Sequence, residues 1–307
     1  MERKISFTDV EKAVVAAYEN NKTNSEGTVD STYATGTEKD FGISVVLTDG
    51  RKINKGDSSF TAPIGEIAKI PTSVVLLTQN TPDELVKKSG TGVCHAGRKP
   101  KPEIPVSRHG IRAVSAIVPQ GDPDGKMDIM VNNFINLAAS APDLDVKLYE
   151  KLKAEVVAAD TENKLAEAEF TLYDNAATSI DLYVRLTALK ASAEQLATLG
   201  ATIAADGLNP VTKEYAFDGS IASRVVTLAA VKGPKKETRA WMMRTGLPAK
   251  SSRSGLIVAI MPGFGAIAAY SPKLDCNGTS VRAAKAIEEI ANTLGLNVFA
   301  SARVKVE

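Results

Sequence analysis

Cysteine and histidine are scarce in this chain. Among 307 residues there are two of each, at Cys94, Cys276, His95 and His109. Two cysteines cannot make a disulfide framework, and their scarcity fits a reducing compartment. Two histidines cannot build a typical metal site unaided. Cys94 and His95 are neighbours, but no second Cys/His cluster accompanies them. They read as a chance pair, and no metal or other cofactor is expected. Charge of one sign is not in excess either. Lys and Arg total 37 against 36 Asp and Glu, a net charge of +1. That balance gives no electrostatic reason to expect a nucleic acid or an anionic membrane as partner. No apolar run approaches the ~20 residues that a spanning helix needs. The N-terminus is charged and has no signal-peptide core. A cytoplasmic protein without a membrane partner is the expectation.

What the chain does contain is ordinary for a globular protein, with 44% hydrophobic and 24% charged residues. Its length suits one large domain or two intimately packed ones. Thr8 and Glu11 are spaced as a capping box, and Val10, Val14, Ala17 and Tyr18 follow at helical spacing. Asp49-Gly50 between two short apolar runs predicts a β-hairpin. Residues 64–79 carry a helical pattern, and Pro71 should kink or restart that helix just after Lys69. Residues 88–126, dense in glycine and proline, read as loop with at most one short element at 111–118. From 142 to 206 the spacing is helical throughout, with segments at 143–159, 162–172, 180–190 and 192–205. A helix is predicted over 220–231. A second hairpin is predicted over 255–270, turning at Pro262 to Gly265. The last helix covers 280–294, and a closing strand lies within 298–306.

This order gives an α+β fold. Strand pairs from the two ends form one antiparallel sheet flanked by terminal helices, and a helical subdomain is inserted between them. The expected division is 1–62 with 208–307 for the sheet unit and 63–207 for the helical one. Trp241, the only tryptophan, reads as a core or subdomain contact. The glycine-rich turn at Pro262–Gly265 joins two strands with no helix after it, so it reads as a hairpin turn rather than a phosphate loop.

Four blocks of residues narrow the fold further. Gly56-Asp57 is followed at fixed spacing by Glu66-Ile67-Ala68-Lys69. A second block runs from Ala197 to Pro210, ending Leu208-Asn209-Pro210. A third begins Gly246-Leu247-Pro248-Ala249-Lys250-Ser251 and continues to Gly263. A fourth holds Ser271-Pro272-Lys273-Leu274-Asp275 and Asn277 to Arg282. In this order they resemble the serine-dependent glutaminases, whose fold is β-lactamase-like, over roughly residues 40–300. The resemblance implies a serine nucleophile, a lysine three residues later that accepts its proton, an assisting tyrosine, and backbone N–H groups around the oxyanion.

Carried over residue by residue, Lys69 matches the catalytic lysine, while Glu66 stands in place of the serine. Lys235 falls at the tyrosine, and Ser252 and Arg253 fall at the glycine and valine of the oxyanion segment. Among substrate-holding positions, Asn132 matches the asparagine of the family's Asn-Ala-Gly-Ala-Ile, although Asn133, Phe134 and Ile135 follow it. Glu155 and Asn163 match the next pair, and Tyr183 matches the binding tyrosine.

A carboxylate is a weak nucleophile toward an amide, and Glu66 lies one helical turn from Lys69, where the pair holds the lysine protonated. Glu66, Lys69, Lys235 and Arg253 therefore read as ion pairs filling a disused cleft, with a site for a small anionic ligand as the competing reading. The expectation from these residues is a catalytically inactive glutaminase homologue, acting as a binding or self-assembling structural protein. The family's assembly habits imply a homo-oligomer, with a filament as one form of it. Two alternatives stand beside it. One is a glutaminase or related amidase on linear amides with a rearranged site and Glu66 as general base. The other is a sensor of small anionic metabolites.

Overall fold

The computed structural model describes residues 3–89, 103–300 and 304–305. Cys94 and His95 lie outside them, and the described residues hold no cluster of three or more His, Cys, Asp or Glu suited to a metal. The chain opens with β1 (Arg3–Lys4) and α1 (Phe7–Asn21), then β2 (Thr28–Val29), β3 (Gly42–Leu47), β4 (Lys52–Gly56) and β5 (Thr61–Pro63). A 3-10 turn over Gly65–Ala68 leads into α2 (Lys69–Gln79), α3 (Pro82–Ser89), α4 (Arg108–Ser115) and α5 (Pro123–Ala138). Next come β6 (Asp143–Leu144), α6 (Val146–Ala158), α7 (Thr161–Glu167), α8 (Ala176–Thr187), β7 (Leu189–Ser192) and α9 (Ala193–Ala204). The chain continues through α10 (Ala222–Val231), α11 (Thr238–Thr245), β8 (Ala249–Ser251), β9 (Leu256–Met261) and β10 (Gly265–Tyr270). It ends with β11 (Lys273–Leu274), α12 (Val281–Leu294) and β12 (Val304–Lys305).

The main sheet has the order β4-β3-β10-β9-β8, and every pairing in it is antiparallel. β3, β9 and β10 are buried along their whole length, which requires cover on both faces. On one face Ile43, Val45, Ile257, Ala259 and Ile267 pack with Val10 and Val14 of α1 and Ile287 and Ile290 of α12. On the other face Val46, Val258, Ile260 and Ala266 join the larger core with the middle helices. α9 sits between the sheet and α5, and its small residues Ala197, Ala201 and Ala204 let it approach closely. The expected α+β layout is therefore the observed one, with α1 and α12 on one face of an antiparallel sheet. Trp241 is fully buried and its indole N–H donates to the Leu247 carbonyl at 2.7 Å, a core role. The Pro262–Gly265 segment is a hairpin turn, closed by Phe264 N–H on the Met261 carbonyl at 2.9 Å.

The structure moves several boundaries. The capping box of α1 is Ser6 with Asp9, not Thr8 with Glu11, because Ser6 presents the same spacing two residues earlier and leaves Thr8 inside the helix. The stretch 88–126 holds more than the one short element expected. α4 and the start of α5 fall in it, each capped by a side chain, Ser107 and Asp122 respectively. The segment 180–190 is helical only to Thr187, and β7 then forms the centre of a three-stranded sheet, β5-β7-β6. α11 was not expected. Among the described residues of 298–306, Val304–Lys305 form a strand that pairs with β1 in parallel. The Pro71 expectation fits. The 3-10 turn ends at Ala68, α2 starts at Lys69, and Pro71 sits in its first turn, where a missing N–H costs nothing.

Candidate active site

The site is built where β5 runs into the 3-10 turn. The Pro63 carbonyl accepts hydrogen bonds from the hydroxyls of Ser252 and Ser254, both at 2.7 Å, and Ile64 N–H donates to Leu189 at 2.7 Å. The end of β5 is thus pinned between β7 and the segment after β8. Gly65 then takes a left-handed conformation, φ +49°, with so little room that a Cβ would lie 2.7 Å from the Ser252 hydroxyl. This bend presents Glu66, and Lys69 follows one turn later.

Three other elements converge on that pair. Tyr183 of α8 donates its hydroxyl to Glu66 Oε1 at 2.6 Å. It reaches there because α4 carries Gly110, where a Cβ would lie 2.2 Å from the tyrosine ring. Lys69 Nζ is ion-paired with Glu66 Oε2 and donates to Ser107 Oγ at 2.9 Å. Ser107 is the N-cap of α4, its hydroxyl accepting from Gly110 N–H at 3.3 Å. Lys250 of β8 is buried and donates to the Lys232 carbonyl, and its charge is felt by both Glu66 and Lys69.

The electrostatics follow from this crowding. Burial pushes the Glu66 carboxyl up, but the Lys69 charge, the hydrogen bonds from Lys69 and Tyr183, and the Lys250 charge outweigh it and hold the group below its ordinary range. Burial, then the Glu66 anion, raises the Tyr183 phenol well above its ordinary value. Burial, then repulsion by Lys69, brings Lys250 down to about 7, with Glu66 opposing. Burial and the cations around it bring His109 down to about 4. At neutral pH the site therefore holds a carboxylate and a protonated phenol, with Lys250 titrating at about 7.

Of the residues singled out in the sequence, Glu66, Lys69 and Tyr183 are brought together. Arg253 is not on Glu66. It is ion-paired with Asp30 Oδ2 at 2.6 Å and lies over the Tyr33 ring at 5.3 Å, on the rim. Glu155, partly buried on α6, is close enough to act on the Tyr33 phenol, which also feels Glu66. Asn163 is exposed and donates to Asp160 at 2.8 Å, serving its own helix start. Asn132 is exposed on α5, while its neighbour Asn133 donates to the Pro71 carbonyl at 3.0 Å. The structure places neither Asn132 nor Asn163 with the Glu66 group. Lys235 opens a 3-10 turn over Lys235–Glu237, and its side chain lies outside the described ones. Of the residues expected to cluster, Glu66 pairs with Lys69, while Arg253 pairs with Asp30 instead.

Ser107, Lys250 and Tyr33 went unassigned in the sequence. Lys250 stood inside the Gly246–Ser251 block without a role. Ser107 was hidden in the glycine- and proline-rich stretch, although Ser107 before Arg108–Ser115 is a capping position. A separate cavity of about 520 Å³ between α6, α7 and α8, lined by Lys153, Val156, Thr161, Asp181 and Arg185, shares no lining residue with this site.

The glutaminase family model matches residues 32–299. A glutaminase of Parabacteroides distasonis is 33% identical over 100% of this chain and 99% of its own length. One of Bacteroides thetaiotaomicron is 34% identical over 97% of each. A solved probable glutaminase, ybaS, superposes with a TM-score of 0.85 at 25% identity, covering 97% of this chain and 100% of that one. A glutaminase of Bacillus subtilis, YbgJ, shares the fold at a TM-score of 0.79 and 18% identity, over 95% of this chain and 99% of that one. The expectation of an inactive binding or structural homologue is overturned by these full-length relatives, which are glutaminases. No helix among the described residues is long and apolar enough to cross a membrane. The chain belongs to the glutaminase family.

Proposed function

We propose that the protein hydrolyses the side-chain amide of L-glutamine to L-glutamate and ammonia. The observation that carries this reading is the contact of Lys69 with both the Glu66 carboxylate and the Ser107 hydroxyl, at the start of a buried helix, in a chain similar to glutaminases along its whole length. In this reading Glu66 stands where the family places its serine, so the site works in a rearranged form. Lys69 and Tyr183 set the protonation of Glu66, and Glu66 in turn holds Lys69 in place. The ammonium groups of Lys69 and Lys250 create a cationic floor suited to the charge that develops on an attacked carbonyl oxygen. Tyr33, Arg253 and Glu155 form a rim that carries both signs of charge, which suits an amino acid's carboxylate and ammonium.

The test is ammonia release from L-glutamine by the purified full-length protein beside Lys69→Ala. Removing a proton-transfer group costs about 10²- to 10⁴-fold. We expect release by the native protein and a loss of that order in the variant. Equal release by both, or none by the native protein at high enzyme concentration, would refute the reading.

A further inference from the structure

We propose that Ser107, and not a residue of the Glu66–Lys69 turn, is the nucleophile of this site. The inference rests on the glutaminase reading above and deepens it. An acyl-transfer site needs a hydroxyl or thiol beside a proton acceptor, open to substrate. Among the described residues Ser107 meets these conditions at Lys69. Its Oγ lies 2.9 Å from Lys69 Nζ. It is partly exposed, so a substrate can reach it. It caps α4, an eight-residue helix, so Gly110 N–H and the positive end of that helix favour an oxygen carrying negative charge. The Ser107 hydroxyl also acts on the Tyr183 phenol, which joins it to Glu66.

Other candidates are committed elsewhere. Ser252 and Ser254 are fully buried and both donate to the Pro63 carbonyl. Ser115 is buried and donates to the Arg112 carbonyl at 2.8 Å. Glu66 already accepts from Lys69 and Tyr183, and its attack on an amide would form an anhydride, a less stable acyl group than the amide it replaces.

The relay Ser107–Lys69–Glu66 supplies the proton balance. Ser107 Oγ forms a bond to the amide carbon. Its proton passes to Lys69 Nζ while Lys69 hands one of its own to the Glu66 carboxylate. Lys69 is unchanged and Glu66 becomes the acid. The C–N bond then breaks, and the nitrogen leaves as ammonia, taking the proton back from Glu66 through Lys69. This leaves a glutamyl ester on Ser107. Water adds to the ester carbon, the relay takes its proton, the C–Oγ bond breaks, and Ser107 recovers its hydrogen as glutamate leaves. The sum is glutamine and water to glutamate and ammonia. A lysine paired with a carboxylate can therefore still pass a proton on.

Two readouts test this. The first is ammonia release by Ser107→Ala and by Ser107→Asn. The asparagine variant keeps a good helix cap and removes the nucleophile, so folding and chemistry are separated. The second is covalent labelling by 6-diazo-5-oxo-L-norleucine, with the modified residue located by peptide mass mapping. We expect both variants to lose at least about 10³-fold in rate and the label to fall on Ser107. Release that survives in Ser107→Asn, or a label on Glu66 or another residue of an active protein, would overturn Ser107 while leaving the glutaminase reading intact. Neither turnover nor labelling in the native protein would overturn both.

Discussion

Lys250 shows how one side chain can set two pH dependences. It is buried, and its ammonium titrates near 7 because desolvation and the Lys69 charge disfavour the proton. As pH rises through 7 the site loses that cation and with it part of the stabilisation of an oxyanion. As pH falls through the depressed carboxyl value of Glu66, the relay loses its acceptor. The expected rate profile is bell-shaped, with an alkaline limb centred near 7. Stability runs differently. The unfolded lysine titrates at 10.5 and the folded one at about 7, so between those values the unfolded state binds more protons and stability rises with pH. Below 7 the folded protein carries the full cost of the buried charge. Lys250→Met should therefore melt at a higher temperature than the native protein at pH 6, by a margin that shrinks toward pH 9.5, and should flatten the alkaline limb. Identical melting curves at pH 6 would mean that the buried charge is compensated. In the sequence Lys250 stood only as one residue of the Gly246–Ser251 block. Its value as a group at the midpoint of titration comes only from the packing of β8 against the turn that bears Glu66.

At the scale of elements, Lys126 and Asp174 tie α5 to the loop before α8. Lys126 is 2% exposed and its Nζ lies 2.6 Å from Asp174 Oδ2, while Asp174 also accepts from Gly121 and Asn175 N–H groups. Removing one member of a buried pair costs ~3–5 kcal/mol because the other charge stays behind. Asp174→Ala should lose about 3 kcal/mol in urea unfolding, and Lys126→Met clearly less, since it leaves an anion near the surface with two backbone donors. Equal losses would refute that ordering. Asp174 is held below its ordinary value, by its hydrogen bonds and the Lys126 charge outweighing burial, so this stability is present at neutral pH and is lost as acid titrates the group. Neither residue stood out in the sequence, for a reason that applies to α4 and α5 as a whole. Glycine and proline between 88 and 126 read as loop, yet Pro123 is at the first turn of α5 and Gly110 is inside α4, where it makes room for Tyr183. The hairpins were legible because Asp49-Gly50 and Pro262–Gly265 are local turn signals, and β3, β9 and β10 are continuous apolar runs. β7 was not, because Leu189–Ser192 is short and follows a helix without a break in polarity. Asn132 was named through its match to the family's asparagine, and Ser107 matched nothing. Only the path of α4 across Lys69 distinguishes them.

Across the whole molecule, the C-terminal helix holds the N-terminal loop that carries the rim of the site. Arg282, in the first turn of α12, is 5% exposed and lies over the Phe41 ring at 5.5 Å. Its guanidinium donates to the Asn24 carbonyl at 2.7 and 3.0 Å, to Lys39 at 3.0 Å and to Glu38 at 3.3 Å. Three carbonyls from two parts of one loop are gathered by one planar group, and the loop between them carries Asp30 and Tyr33, the partners of Arg253. A lysine keeps the charge but has a single nitrogen at its tip and cannot span the same fork. Part-buried carbonyls that lose a donor cost up to ~1–3 kcal/mol each. Arg282→Lys should therefore destabilise the protein by about 3 kcal/mol and lower Tm by roughly 5 °C, read by differential scanning calorimetry. Arg253→Ala is the control. Its side chain is 56% exposed, so its ion pair with Asp30 is worth about 0–1 kcal/mol and Tm should barely move. If both variants melt together with the native protein, the guanidinium does not join the two ends of the chain. If only Arg282→Lys melts early and its KM for glutamine rises with kcat kept, the C-terminal helix acts on the site through the loop it holds.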